Sequence, residues 1–300
     1  MKEIILDRKI RIGISACQAG AKVRYNGKGW DVIKNIGRDK NMFIWTPVCP
    51  EIMSGMGVLR LPIKLSKGNG NDFWEDKAII KNRQGKDISA QMKHGALVSM
   101  KTLELADIDI FIYMEGSPSC GINRTTLKNK RLGNPPGVFG SLLLKKNYFL
   151  ISSQDLESPI KWWDWKRKII AYVWTKDLLD KNLENIKEVW EGLQYLLNEI
   201  DEIKAKIIKE DILLNKDKLN IKRDILNLLR EKTSLEKIKK YLWINYNILG
   251  EEENISFDDI NSPDVLRGST AVAEELKIIE KYVRKENKYF RSSPINYKPK

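Results

Sequence analysis

The sequence predicts an α/β fold class: an open parallel, Rossmann-like sheet in residues 1–157, followed by an all-α domain in residues 158–300. In the first part, short apolar runs alternate with helical patterns, which is typical of a parallel sheet covered by helices on both faces. After the junction Glu157-Ser158-Pro159, long charged segments carry apolar residues three and four positions apart, as amphipathic helices do. At 300 residues the chain is long enough to bury two separate cores.

Five strands are predicted in the first domain, each from a short apolar run. They are Lys9–Ser15, Asn41–Val48, Ala78–Lys81, Asp107–Met114 and Tyr148–Ser152. Three helices lie among these strands, and Ser89 is a candidate cap for the second helix. They are Asp31–Gly37, a helix from Ser89 to about Leu105, and Gly137–Lys145. The loop before the last helix, Gly133–Gly137, is either a plain connection or a place where backbone amides receive a phosphate.

The second domain is predicted to be helical throughout. Its longest amphipathic segments are Leu178–Lys209 and Asp217–Lys232. A last helix, Ala271–Lys285, precedes a basic tail that we expect to fray. The tryptophan cluster Trp162–Trp165 has two interpretations: it packs an interface between the two domains, or it stacks on nucleobases.

The charge of the chain is strongly positive and unevenly distributed. The net charge is +13, and +11 of it falls within residues 1–155. A basic field on this half suits an anionic substrate such as a nucleotide or RNA, although a lysine-rich solvated surface would give the same count. We expect no membrane segment, because no run of 18 apolar residues is present. The first residues lack the apolar core of a signal peptide, so we expect a cytoplasmic protein.

Three cysteines each follow the end of a predicted strand: Cys17, Cys49 and Cys120. Ligands of open α/β sheets bind beyond the carboxyl ends of the strands, so the fold would bring these thiols together. Three thiolates would form a soft metal site with one position unfilled, as a metal catalyst requires. Their wide spacing is unlike a local Cys-x-x-Cys chelate, and by spacing alone the three are as well interpreted as small buried residues. The odd number argues against a disulfide framework.

The residues around the cysteines resemble, in their order, the thiouracil desulfidase family. The matching motifs are Ser15-Ala16-Cys17, Lys22-Val23-Arg24-Tyr25-Asn26-Gly27, Pro47-Val48-Cys49-Pro50-Glu51, Arg60-Leu61-Pro62, Gly85-Lys86-Asp87-Ile88-Ser89, His94-Gly95-Ala96 and Ser117-Pro118-Ser119-Cys120-Gly121. The resemblance covers residues 9–155, and its two most specific motifs contain Cys49 and Cys120. One departure is Gln18-Ala19, where an apolar pair is usual.

The resemblance implies an α/β enzyme whose three cysteines, Cys17, Cys49 and Cys120, hold a 4Fe–4S cluster with one open iron. Such an iron would bind the soft sulfur of a thiocarbonyl group and polarise the C=S bond. Water would then replace the sulfur by oxygen, without net electron transfer. The substrate would be a thiolated pyrimidine, as a free base, a nucleotide or a residue of tRNA.

Candidate reacting residues lie next to the cysteines. Glu51, two residues after Cys49, is our first candidate for proton transfer, although a surface or capping role is the alternative. Ser117 matches the second catalytic position of the family, although serine is also favoured in such a turn. Ser15, Arg24 and Tyr25 are candidate substrate-binding residues, while a solvated arginine and a packed tyrosine are the plainer interpretations.

Two other functions are compatible with the sequence. A non-catalytic protein could use an iron–sulfur cluster as a sensor while binding nucleotides or RNA. A zinc protein could use Glu51 as a fourth ligand. Some relatives that act on thiolated tRNA carry a helical domain after the desulfidase domain, so RNA contact, substrate capping and oligomerisation all remain open for residues 158–300. The oligomeric state is not determined by the sequence.

Overall fold

The computed structural model describes residues 4–126, 133–238, 240–241 and 293–300. The chain divides into two compact units: Lys9–Glu157, and Met1–Arg8 together with Ser158–Lys300. The first contains a parallel sheet and the second is mainly helical, which confirms the predicted fold class. The helix predicted at Ala271–Lys285 lies outside the described residues.

A four-stranded parallel sheet forms the centre of the first unit. Its strands in spatial order are β3 (Phe43–Val48), β2 (Ile10–Ser15), β6 (Ile110–Tyr113) and β7 (Phe149–Ser152). Counted by their order along the chain, the strands of this sheet are arranged 2-1-3-4. The direction of the crossovers therefore reverses between β2 and β6, and α/β proteins bind ligands at such a switch point.

One face of the two central strands consists of buried isoleucines. In β2, the side chains of Ile10, Ile12 and Ile14 are fully buried. In β6 the same holds for Ile110 and Ile112. Isoleucine is favoured in strands, and its recurrence at every second position explains why the sequence pattern located these strands well.

Two elements of the first unit differ from the sequence-based expectation. The helix expected at Asp31–Gly37 is a 3₁₀ segment, Val32–Met42, interrupted by Gly37 at a φ of 58°. Ser89 is the first residue of its helix rather than the cap, which is Ile88. The Ser89 Oγ accepts a hydrogen bond from the backbone N–H of Ile80 at 2.9 Å. The Ser89 side chain thus forms a hydrogen bond with another element of the fold and does not cap its own helix.

Four α-helices and an antiparallel hairpin complete the described part of this unit. The helices are α1 (Pro50–Met53), α2 (Gly70–Trp74), α3 (Ser89–Leu105) and α4 (Val138–Lys145). The hairpin pairs β4 (Ile63–Ser66) with β5 (Ile79–Asn82). The sequence predicted β5 but not α1, α2 or β4, which are only four or five residues long.

A glycine lets α1 lie against α3. A Cβ atom on Gly95 would come within 2.1 Å of the Pro50 carbonyl oxygen, closer than real Cβ contacts allow. Only glycine therefore permits this approach of the two helices. Because α1 follows Cys49 directly and contains Glu51, the close packing fixes where both side chains lie.

The second unit contains four α-helices in its described part, besides a short helical stretch at residues 235–238 and 240–241. They are α5 (Pro159–Lys181), α6 (Ile186–Ile200), α7 (Glu202–Leu213) and α8 (Lys218–Leu229). The expectation of an all-α domain missed a short parallel ladder between β1 (Ile4–Leu6) and β8 (Ile295–Tyr297). Residues 293–297 of the basic tail are thus buried, and Ile295–Tyr297 are paired rather than frayed. No helix of the described residues is long and apolar enough to cross a membrane.

The tryptophans of α5 are buried. Trp162, Trp163 and Trp165 are at most 4% exposed, so these rings are not available to stack on nucleobases. Arg167 lies 4.1 Å from the Trp163 ring, and its guanidinium pairs with Asp164 at 2.7 Å. Burial alone would raise the pKa of Asp164, but the neighbouring cations outweigh it and lower that pKa.

Candidate functional site

The three cysteines line one cavity of the first unit, beyond the carboxyl ends of its parallel strands. The cavity has a volume of about 930 Å³. Cys17 lies in a 3₁₀ turn after β2, and Cys49 directly follows β3 and caps the N-terminus of α1. Cys120 lies in the loop after β6 and is buried. The predicted convergence of three distant cysteines is therefore present, next to the switch point of the sheet.

The loop that carries Cys120 is held from two sides. The buried carboxylate of Glu115 accepts hydrogen bonds from the backbone N–H groups of Asn123 and Arg124, at 3.2 and 3.1 Å. Amides at the start of α4 donate to carbonyl groups of the same loop, for example Phe139 N–H to the Ser119 carbonyl at 2.9 Å. These amides are occupied by the protein itself. Of the two interpretations of the loop before α4, the phosphate-binding one is therefore not supported.

Burial keeps the cysteines protonated in the metal-free chain. It raises the pKa of Cys17 and of Cys120, and it raises the pKa of Cys49 to about 11. The nearby Glu51 carboxylate and the other thiols raise these pKa values further, which shows that the four groups are close in space. Three thiolates at this place require a compensating positive charge, as a bound metal group would supply.

The donor set is compatible with a polynuclear cluster. Within the described residues, no three Cys, His, Asp or Glu side chains converge closely enough to hold one metal ion. In a cluster each thiolate binds a different iron, so the three sulfur atoms need not converge on one point. Three soft thiol donors around a shared cavity are compatible with such a group.

A hydrogen-bonded chain of side chains runs beside the cysteines. Glu51 Oε2 accepts from the Nε of Arg60 at 2.9 Å and also from its Nη2. Glu51 Oε1 accepts from the Ser119 hydroxyl at 2.8 Å, and the Ser119 Oγ lies 2.9 Å from the Ser117 Oγ. The Arg60 and Glu51 side chains are only 7% and 12% exposed, so this is a buried ion pair. The structure thus connects the two predicted catalytic candidates through a third residue.

Sequence reasoning gave no role to two members of this chain. Ser119 was noted only within the motif around Cys120, but it bridges Glu51 and Ser117. Arg60 was noted only within a motif, nine residues from its partner Glu51. The motif Arg60-Leu61-Pro62 was the available signal, but the pairing depends on the turn after α1, which the sequence did not predict.

The three candidate substrate-binding residues occupy different environments. Ser15 is 1% exposed, and its Oγ accepts from the backbone N–H of Met114 at 3.1 Å, so it joins the ends of β2 and β6. Arg24 stacks on the ring of Trp30 at 4.5 Å, with Tyr25 at 6.0 Å. Tyr25 is 38% exposed, and Ser15, Arg24 and Tyr25 all line the cavity. Arg24 and Tyr25 therefore lie where a substrate could reach them, whereas Ser15 has a partner in the protein.

Comparison with known protein families agrees with this geometry. Residues 12–155 match the model of the 2-thiouracil desulfurase family. This part of the chain belongs to that family. The match includes Cys17, Cys49 and Cys120 together with Glu51 and Ser117, and it ends within two residues of the end of the first unit.

Other comparisons add little to the desulfurase assignment. A search of curated proteins gave no match. Among solved structures, the chain is similar to a [4Fe-4S]-dependent thiouracil desulfidase, TudS, with 23% identity and a TM-score of 0.40. That similarity covers 49% of this chain and 93% of the other.

The desulfurase-family unit presents free cations at its cavity. Lys64 on β4 and Arg83 after β5 are exposed, line the cavity and have no carboxylate partner among the described residues. Arg24 also has no carboxylate partner there. Among the described residues that line the cavity, Glu51 is the only acidic one, and it pairs with Arg60. When the thiols are protonated, the described part of the cavity lining therefore carries a net positive charge.

We expect Arg60→Met to lower the free energy of unfolding by about 3–5 kcal/mol, because it leaves the Glu51 carboxylate buried without its partner. Adding Glu51→Gln should restore part of the loss, since a neutral amide does not need the cation. Urea denaturation of the metal-free proteins measures both changes. Arg11→Met is the matched control, because the exposed Arg11–Asp107 pair should contribute less than about 1 kcal/mol. Equal losses for the two arginine variants would contradict the assignment.

Proposed function

We propose that the protein is an iron–sulfur desulfidase that removes sulfur from a thiolated pyrimidine. The observation that carries this proposal is the meeting of three cysteines with the Glu51–Ser119–Ser117 chain in one cavity of a desulfurase-family unit. The family match supports the reaction class. The same proposal includes a desulfidase domain of residues 1–157 and a helical accessory domain of residues 158–300. It also includes a cytoplasmic location, which keeps thiols reduced.

Cys17, Cys49 and Cys120 are the residues that would hold a 4Fe–4S cluster. Three protein thiolates leave one iron of such a cluster without a protein ligand. When bound, the cluster supplies a Lewis acid that attracts the soft sulfur of a thiocarbonyl group. Two other potential ligands suit this role less well, because Glu51 is bound to Arg60 and His94 is exposed on α3 outside the cavity lining.

The protein's own side chains handle the proton. Replacing the sulfur of a C=S bond by the oxygen of water leaves a C=O bond and releases hydrogen sulfide, with no change in electron count. Water must give up protons as its oxygen bonds to carbon. Glu51 is the base within reach of the cavity, and Ser119 connects it to the Ser117 hydroxyl. Arg60 holds the carboxylate in place and stabilises its charge.

Cations at the cavity favour a substrate that carries negative charge. Arg24, Lys64 and Arg83 line the cavity, and none of them has a carboxylate partner among the described residues. A phosphate group on a thiolated nucleotide or in thiolated tRNA would compensate them, whereas a free thiouracil base would not. We propose the phosphorylated forms as the preferred substrates, with Arg24 and Tyr25 contacting the base or its phosphate.

Replacing Cys49 by serine should abolish both the cluster and the activity. After anaerobic reconstitution, the wild-type protein should be brown, with about four irons and four labile sulfides per chain. It should release sulfide from 4-thiouracil, 4-thiouridine monophosphate or thiolated tRNA. His94→Gln is the control and should keep the iron, because this histidine is exposed and lies outside the cavity lining.

The same measurements separate the rival functions. A protein that takes up zinc instead of iron would contradict the proposal. A cluster without turnover on any of the three substrates would favour a sensor.

Glu51→Gln should lower kcat by about 10²–10⁴-fold while leaving the iron content unchanged, because the amide cannot accept a proton. Ser119→Ala should lower kcat by less, since it interrupts the connection but retains the base. Steady-state sulfide release from the reconstituted proteins measures both. Glu75→Gln, on an exposed acid of the same unit, is the matched control. A Glu51→Gln enzyme with wild-type kcat would remove Glu51 from the reaction.

Lys64→Gln and Arg83→Gln should each raise the KM for 4-thiouridine monophosphate by up to about fivefold, because each removes one exposed charge contact. The KM for 4-thiouracil should not change, since that base carries no phosphate. Lys101→Gln, exposed on α3, is the matched control. If the KM values of both substrates rise equally, Lys64 and Arg83 do not bind the phosphate group of the nucleotide.

A further inference from the structure

A buried glutamine lies beside the first cysteine and has no part in the chemistry described so far. Gln18 is 3% exposed and ends the 3₁₀ turn that contains Cys17. Its Nε2 lies 3.8 Å from the Cys17 Sγ and 2.8 Å from the Met114 Sδ. A buried carboxamide is costly unless it is hydrogen-bonded, so these sulfur contacts call for an explanation.

The surroundings determine which end of the carboxamide faces the sulfurs. Both neighbouring atoms are sulfur, which accepts hydrogen bonds. The NH₂ end can donate one hydrogen to each of them. The carbonyl end would place an oxygen lone pair against two sulfur lone pairs, and more unfavourably still against a thiolate. The donor orientation is therefore the stable one, and it becomes stronger when Cys17 loses its proton.

The backbone holds Gln18 in this position. The Cys17 carbonyl accepts from the Trp30 N–H at 2.7 Å, and the Ala16 carbonyl accepts from the Ala19 N–H at 3.1 Å. Residues on both sides of the glutamine are thus tied to neighbouring backbone. The carboxamide reaches Cys17 from a fixed turn, and not from a mobile loop.

We propose that Gln18 is a positioning residue that donates a hydrogen bond to the Cys17 sulfur and raises the reduction potential of the cluster bound there. The proposal rests on the cluster of the proposed function. A hydrogen bond to a ligand sulfur stabilises the more negatively charged, reduced cluster relative to the oxidised one. The same withdrawal of electron density makes the irons better acceptors for a soft substrate sulfur.

The test compares reduction potentials of reconstituted full-length proteins, determined by redox titration followed by electron paramagnetic resonance. Gln18→Leu and Gln18→Met fill the same space without a donor. At a fixed potential, we expect about a tenfold lower ratio of reduced to oxidised cluster in both, which is a shift of about 59 mV to more negative values for one electron. Gln91→Leu, exposed on α3, is the matched control and should titrate as the wild type does.

Each outcome decides the proposal. A more negative potential in both Gln18 variants, with the control unchanged, supports it. Unchanged potentials in variants that hold a full cluster overturn it. Variants that retain the wild-type circular dichroism spectrum but bind no iron also overturn it, since Gln18 would then be needed to form the site and not to tune it. If the wild type itself binds no iron, the proposed function fails first.

Discussion

The site depends on one constraint: three strand ends of a single parallel sheet must lie side by side. Cys17, Cys49 and Cys120 are far apart in sequence, and no local turn could bring them together. The parallel pairing of β2 with β3 and with β6 places all three carboxyl ends at the same edge. A one-residue slip would turn the strand side chains to the opposite faces and separate the thiols. The buried β2 isoleucines therefore stabilise the register on which the site depends.

The electrostatics of the cavity follow from burying ionisable groups in pairs. Glu51 is tolerated in a buried position because Arg60 neutralises it and Ser119 donates to its other oxygen. At the cysteines, burial outweighs the nearby Arg24 at Cys17 and Arg60 at Cys49, so the pKa values of the thiols are raised. Three thiolates at this place would therefore need further positive charge, which a bound metal group would supply.

The parts of this arrangement that follow short-range patterns could be predicted from the sequence. The central strands were located by their apolar runs, and the cysteines by their positions after those strands. Arg60 and Ser119 could not be assigned, because their roles depend on contacts with Glu51 that only the folded chain creates. The β1–β8 ladder joins opposite ends of the chain, and nothing in three-residue strands reveals such a partner.

The geometry also bears on the zinc alternative. A zinc site would use the three thiolates and Glu51 as a fourth ligand around one ion. Both oxygens of Glu51 already accept hydrogen bonds, one from Arg60 and one from Ser119. Coordination would break a buried ion pair and leave the guanidinium of Arg60 without its partner, which costs several kcal/mol. A cluster places no such demand on Glu51, because the thiolates alone hold it. Under the proposed function, the carboxylate would then stay available for the proton, and the cluster would retain one position for the substrate's sulfur.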